Sequence, residues 1–92
     1  MFTQEERASI IALLEKGIIN EVNGKITISQ IEFRWDICRF NNFFTGETRF
    51  SASIAYETMA HFDTAEEAME SLETALSGLM SCGKVIDAVL LD

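Results

Sequence analysis

The sequence predicts an α+β fold: an antiparallel sheet of about four strands with two helices packed on one face. Three observations carry this. The two ends of the chain repeat apolar residues at three- and four-residue spacing behind helix-capping residues. The middle alternates apolar and polar residues with a period of two. At 92 residues there is room for one core only, so residues 1–92 form a single domain.

The first element is a helix. Thr3 caps it and Glu6, three positions on, completes a capping box in which two side chains satisfy free backbone N–H groups. Ala8, Ile10, Ile11, Leu13 and Leu14 supply its apolar face, and Gly17 follows as the left-handed residue that ends a helix. Asn23-Gly24 then lies between Ile18–Val22 and Lys25–Ile28 and reads as a hairpin turn between two strands. Ile31, Phe33, Trp35 and Ile37 alternate with Glu32, Arg34, Asp36 and Cys38, a strand with one apolar and one mostly charged face. A loop with Gly46 follows, and then a strand from Thr48, with Phe50, Ala52, Ile54 and Tyr56 on one face, that can run on to Phe62. Asp63 is placed to cap the second helix, with Glu66 at the capping-box position. Its stripe is Ala65, Ala68, Met69, Leu72, Ala75, Leu76, Leu79 and Met80, and Gly83 ends it. The last segment, Lys84–Leu91, fits a strand better than a short helix.

Composition narrows the function classes. Seven Lys and Arg against fifteen Asp and Glu give a net charge of −8. That balance disfavours general binding to nucleic acid or to anionic membranes, both of which need surplus cations. No apolar run is long enough to span a bilayer, and the first residues are acidic where a secretory leader is basic. Cys38 and Cys82 are far apart, without CxxC spacing, and read as thiols in a reducing compartment.

Catalytic chemistry finds little support. Cys38, His61 and Asp63 could form a nucleophilic triad, but a strand end, a helix cap and a small sheet residue explain them more simply. Cysteines and histidines total three, one short of a structural zinc set, and the carboxylates ride a helix rather than a calcium loop. The five glycines form no phosphate-binding pattern. An enzyme, a metal and a cofactor are therefore not expected, nor is a small-molecule substrate.

Two surface features remain. Residues 51–92 carry eight acids against one base, so nearly all the net charge lies there, with Glu66, Glu67, Glu70 and Glu73 off the apolar stripe of the second helix. Such a face either imitates nucleic acid for a basic partner or simply keeps the chain soluble. In the middle, Arg34, Arg39 and Arg49 lie among aromatic residues with Asn41 and Asn42 alongside. Arg34 and Arg49 are expected on the open face of the sheet, while Phe33, Trp35 and Phe50 belong to the core. Phe43 and Phe44, adjacent in a glycine-containing loop, cannot readily both be buried. The loop from Asn41 to Arg49 is therefore the expected contact site, since arginine and aromatic residues dominate interface energetics.

In its short length, acid excess, α+β order and the segment Ala60-His61-Phe62-Asp63-Thr64-Ala65-Glu66-Glu67-Ala68, where a strand leads straight into a capped helix, the chain resembles the phage-encoded anti-CRISPR proteins that inhibit type I-F systems. The resemblance implies a stoichiometric inhibitor in the cytoplasm of an infected bacterium. It would bind Cas proteins of the crRNA-guided surveillance complex, on the Cas7-type backbone or the Cas8-type subunit, and keep target DNA from hybridising. Two routes follow: the acidic helix occupies a channel that holds DNA, or Arg34, Arg39 and Arg49 approach guide RNA or an acidic protein patch. The competing reading is a small homodimeric structural or regulatory domain, paired by a sheet edge or by Phe43 and Phe44.

Overall fold

The computed structural model describes residues 2–55, 57–81 and 85–91, with the backbone alone over 57–59 and 85–91. Along the chain run α1 (Gln4–Glu15), β1 (Glu21–Ile28), β2 (Ile31–Asn41), β3 (Thr48–Ile54), β4 (Glu57–Phe62), α2 (Ala65–Ser81) and β5 (Val85–Leu91). The fold is α+β. The five strands form one antiparallel sheet in the order β4-β3-β2-β1-β5. The C-terminal segment is thus a strand, and it adds a fifth member on the free side of β1.

The alternation in β2 sorts the sheet into two faces. Trp35 and Ile37 are buried and turn to the same side as Ile26 and Ile28 of β1 and Phe50 and Ala52 of β3. Against them pack Ile10 and Leu14 of α1 and Ala65, Ala68, Met69, Leu72 and Leu76 of α2. Phe2 completes the cover, its ring edge-on to Trp35 at 5.3 Å. Phe33, expected in the core, packs against its margin and is only partly buried.

Both helices start as local chemistry requires. Thr3 Oγ1 accepts from the Glu6 N–H at 3.0 Å and Glu6 Oε1 accepts from the Thr3 N–H at 3.0 Å, the capping box read from the sequence. The N–H of Thr3 also holds the Glu6 carboxyl below its ordinary pKa. In α2 the cap is Thr64, not Asp63: Thr64 Oγ1 accepts from the Glu67 N–H at 3.2 Å and donates to Glu67 Oε1 at 3.0 Å. Asp63 sits one residue too early and faces Arg49 at 3.7 Å instead. The helices are joined where α1 ends and α2 begins, Glu15 Oε1 accepting from the Ala65 N–H at 2.7 Å.

The end of α1 is held from the sheet. Gly17 takes the left-handed conformation, φ +71°, as the sequence predicts. Arg39 of β2 lies on the helix side of the sheet, opposite Phe50 in the register. Its Nη1 donates to the carbonyls of Leu14 at 2.8 Å and Glu15 at 2.7 Å in the last turn, where Leu14 also accepts from the Gly17 N–H at 3.1 Å. A Cβ on Gly17 would stand 3.1 Å from Arg39 Cζ, so the glycine also gives the guanidinium its room.

Two turns differ from expectation. Asn23 and Gly24 lie inside β1, where Gly24 is buried and faces Trp35 across the register. Both residues are drawn into the β1–β2 ladder, so the turn does not form there. The hairpin turns instead at Ser29 and Gln30, φ 50° and 69°, both left-handed as a two-residue hairpin requires. The strand expected from Thr48 to Phe62 is also two strands: Ala55, φ 55°, breaks it, and Ile54 pairs with Glu57 across the turn. Tyr56 and Gly83, assigned to a strand face and a helix end from the sequence, lie outside the described residues.

Two stability changes are expected. Arg39→Ala leaves the last α1 carbonyls unclasped and lowers unfolding free energy by about 1–2 kcal/mol. Urea titration reads this as a lower midpoint at constant slope, and an unchanged midpoint contradicts the clasp. Replacing Ser29-Gln30 with Asn-Gly, residues at ease in left-handed backbone, raises stability by about 0.5–1 kcal/mol in the same assay. A destabilised double variant would show that the turn is not built from two left-handed residues.

Candidate functional site

The loop between β2 and β3 is a fixed hairpin tip. The Asn42 N–H donates to the Glu47 carbonyl at 2.7 Å and the Gly46 N–H to the Asn42 carbonyl at 2.8 Å. Asn42 Oδ1 accepts from the N–H groups of Phe44 at 2.9 Å and Thr45 at 3.2 Å, an Asx turn that replaces backbone pairing. Gly46, φ +73°, supplies the left-handed residue that returns the chain to β3. At the base, Thr48 Oγ1 donates to Asn41 Oδ1 at 2.6 Å. On this frame Phe43 and Phe44 are 93% and 94% exposed, their rings edge-to-face at 5.8 Å. Asn41 and Asn42 therefore build the tip, and the two phenylalanines are what it presents.

The arginines divide. Arg34 and Arg49 lie on the sheet face away from the helices, as expected, while Arg39 lies on the other. Arg34 stands 3.5 Å from Glu32. Arg49 donates from Nη2 to the His61 carbonyl at 3.3 Å and stands near Glu47 at 3.8 Å and Asp63 at 3.7 Å. The expected cluster of Arg34, Arg39 and Arg49 thus does not assemble. Arg39 is occupied by α1, and the other two each face carboxylates of the chain.

The acids of α2 do assemble, around one cation. Arg7 of α1 donates from Nε to Glu73 at 2.7 Å and lies 4.0 Å from Glu66 and 3.9 Å from Glu70. The bond to Glu73 and the surrounding carboxylates raise the Arg7 pKa. Three carboxylates share a single guanidinium, so the row stays net negative, and Glu66, Glu67 and Glu70 are exposed. The Arg49–Asp63 pair and the Phe50–Phe62 register place the start of α2, with Glu66 and Glu67, at the same end of the sheet as the hairpin tip.

The three groups of the conceivable nucleophilic triad are not brought together. Cys38 pairs with Ser51 and Ser51 with His61, so thiol and imidazole are two strands apart, about 10 Å. The His61 ring packs edge-on to Phe40 at 5.1 Å. Burial, with Asp36 and Glu21 close by, pushes the Cys38 thiol up to about 12. A nucleophilic cysteine needs the opposite shift. Sequence reading overlooked the cluster of Glu21, Asp36 and Cys38, whose donor atoms lie within 4.8 Å of one another on that face. Cys38 Sγ donates to Asp36 Oδ1 at 3.6 Å. The retained proton makes it a hydrogen-bonded group, and structural zinc takes four donors. Alternation along β2 already puts Asp36 and Cys38 on one face, and the cross-strand register, which the sequence hides, adds Glu21 opposite Cys38.

Comparison with known proteins finds no matching family model, and no similar curated protein or solved structure.

The thiol is directly testable. In a Cys82→Ser chain, Cys38 should react with iodoacetamide at pH 8 at least about tenfold slower in the folded than in the urea-unfolded state. The raised folded-state value, about 12 against 9.0, favours the protonated thiol in the fold. Its contribution to stability is present below pH 9 and is lost as pH rises toward 12. Equal alkylation rates in the two states would contradict this environment.

Proposed function

We propose that this chain acts by occupancy, as a stoichiometric binding protein that docks through its β2–β3 hairpin tip. The observation that carries the reading is the Phe43–Phe44 pair. Two aromatic side chains almost fully in water are costly to solvate. Here they stand on a tip tied by Asn42 and Gly46, so little order is lost when a partner covers them. Aromatic anchors on a pre-ordered element are what interface hot spots are made of.

The resemblance to inhibitors of type I-F systems supplies the target: the Cas subunits of the crRNA-guided surveillance complex in the bacterial cytoplasm. Glu66, Glu67 and Glu70 suit that target, because a channel that holds nucleic acid is positively charged. With the tip as anchor and the acidic start of α2 at the same end, the chain would cover the channel and keep target DNA out. The mimicry route is favoured over contact with guide RNA, since all three arginines already face acceptors of the chain. A second reading rests on the same phenylalanines: two copies that cover each other's tips.

Affinity capture at low salt from cells expressing a type I-F complex tests the proposal. The tagged chain should retain Cas subunits, and Phe43→Ala/Phe44→Ala should lose at least about tenfold in binding while keeping its fold. Charge reversal at Glu66 and Glu67 should weaken capture further at low salt. If no Cas subunit is retained and light scattering gives twice the chain mass, lost on Phe43→Ala/Phe44→Ala, the homodimer replaces the inhibitor.

A further inference from the structure

A second surface lies along the outer edge of β4. β4 is the outermost strand on its side of the sheet, and among the described residues no strand pairs with its outer side. Such an edge carries a row of backbone N–H and C=O groups ready to pair with another chain. Native sheets blunt exposed edges with charges, proline or bulges, and in Glu57–Phe62 such devices are confined to the first half, at Glu57 and a bulge. The one irregularity, between Ala52 and Ser53 of β3, falls in the first half of β4, so Ala60, His61 and Phe62 pair in regular register.

Beside this edge runs an open groove of about 490 Å³ between β4 and α2, lined by Phe62, Glu67, Glu70, Ser71, Thr74 and Ala75. Its apolar part is the Phe62 ring and Ala75, both half-buried, and its rim carries the exposed Glu67 and Glu70. Among the described residues Glu67 is engaged by Thr64 of its own cap alone, and Glu70 lies 3.9 Å from Arg7. The groove is therefore greasy at its base and negative at its lip. A free strand edge next to such a groove is the geometry at which extended peptides add to a sheet, backbone pairing giving affinity and alternate side chains giving specificity.

We propose that this groove takes an extended basic segment of a partner protein, added as a strand to the outer edge of β4. Its apolar side chains lie on Phe62 and Ala75, and its lysine or arginine heads meet Glu67 and Glu70. The groove does not include Phe43 or Phe44, but it shares Glu67 and Glu70 with the acidic face proposed above, and peptide binding is read at β4 and α2 rather than at the tip.

The test is a titration of the full-length ¹⁵N-labelled chain with a synthetic peptide alternating lysine and valine, alongside a twin alternating glutamate and valine. The basic peptide should shift the amides of Ala60, His61 and Phe62 and those of α2 facing the groove, with an affinity that falls as salt rises. Glu67→Gln/Glu70→Gln should weaken it about tenfold or more. Both positions are exposed, so that variant keeps its fold, which circular dichroism checks. Thr74→Phe, which fills the groove from an exposed helix position, should abolish binding without touching the charges. Equal binding of the acidic twin, shifts confined to the hairpin tip or the open sheet face, or no binding of the basic peptide would each overturn the proposal.

Discussion

The parity of β2 is the constraint on which the rest of the structure depends. Side chains on a strand point alternately to its two faces, so fixing Trp35 and Ile37 in the core fixes every other residue from Ile31 to Asn41. Arg39 shares their parity and is carried to the helix side, where it donates to the carbonyls of Leu14 and Glu15 at the end of α1. Arg34, Asp36, Cys38 and Phe40 take the other face. A slip of one residue would bury the charges and expose the indole. Trp35→Ala would remove the anchor of this arrangement at a cost of about 3–5 kcal/mol. The length of β2 matters as well, since its last residues carry the chain out to the tip that presents Phe43 and Phe44.

Much of this was legible in the sequence wherever the signal is local. The Thr3 capping box, the left-handed Gly17, the two faces of β2, the α2 stripe and the exposure of Phe43 and Phe44 all follow from spacing within a few residues. The misreadings arise where a distant partner competes with a local preference. Asn23-Gly24 is the strongest hairpin signal in the chain, yet both residues pair within the β1–β2 ladder, Gly24 buried opposite Trp35, and the turn falls on Ser29-Gln30, residues with no special ease in left-handed backbone. Asp63 and Thr64 are both good caps, and nothing in the local spacing says that Thr64 takes the role while Asp63 faces Arg49. Arg39 reads as a surface cation until the end of α1 is placed beside it. The groove along β4 was invisible for the same reason: nothing local says which strand lies at an edge.

The electrostatics follow a similar division. Cations are few, and the arginines that reach the surface meet carboxylates of their own chain, Arg7 three glutamates, Arg34 one and Arg49 two, as Lys25 meets Glu32. Exposed pairs of this kind contribute little to stability. Their larger effect is to cancel positive potential at the arginines while leaving the α2 row negative. A partner approaching the molecule meets two apolar rings at one end and a predominantly acidic helix beside them. That combination repels nucleic acid itself and is complementary to a basic partner surface, as the proposed function requires.

Hydrogen–deuterium exchange of the chain, free and mixed with a type I-F surveillance complex, measures the central claim most directly. Docking through a pre-ordered tip predicts that the amides of Phe44, Thr45 and Gly46, already bonded to Asn42, exchange slowly in the free chain and are slowed further in the complex. Fast exchange of these amides in the free chain, or protection gained elsewhere with the tip unchanged, would contradict it.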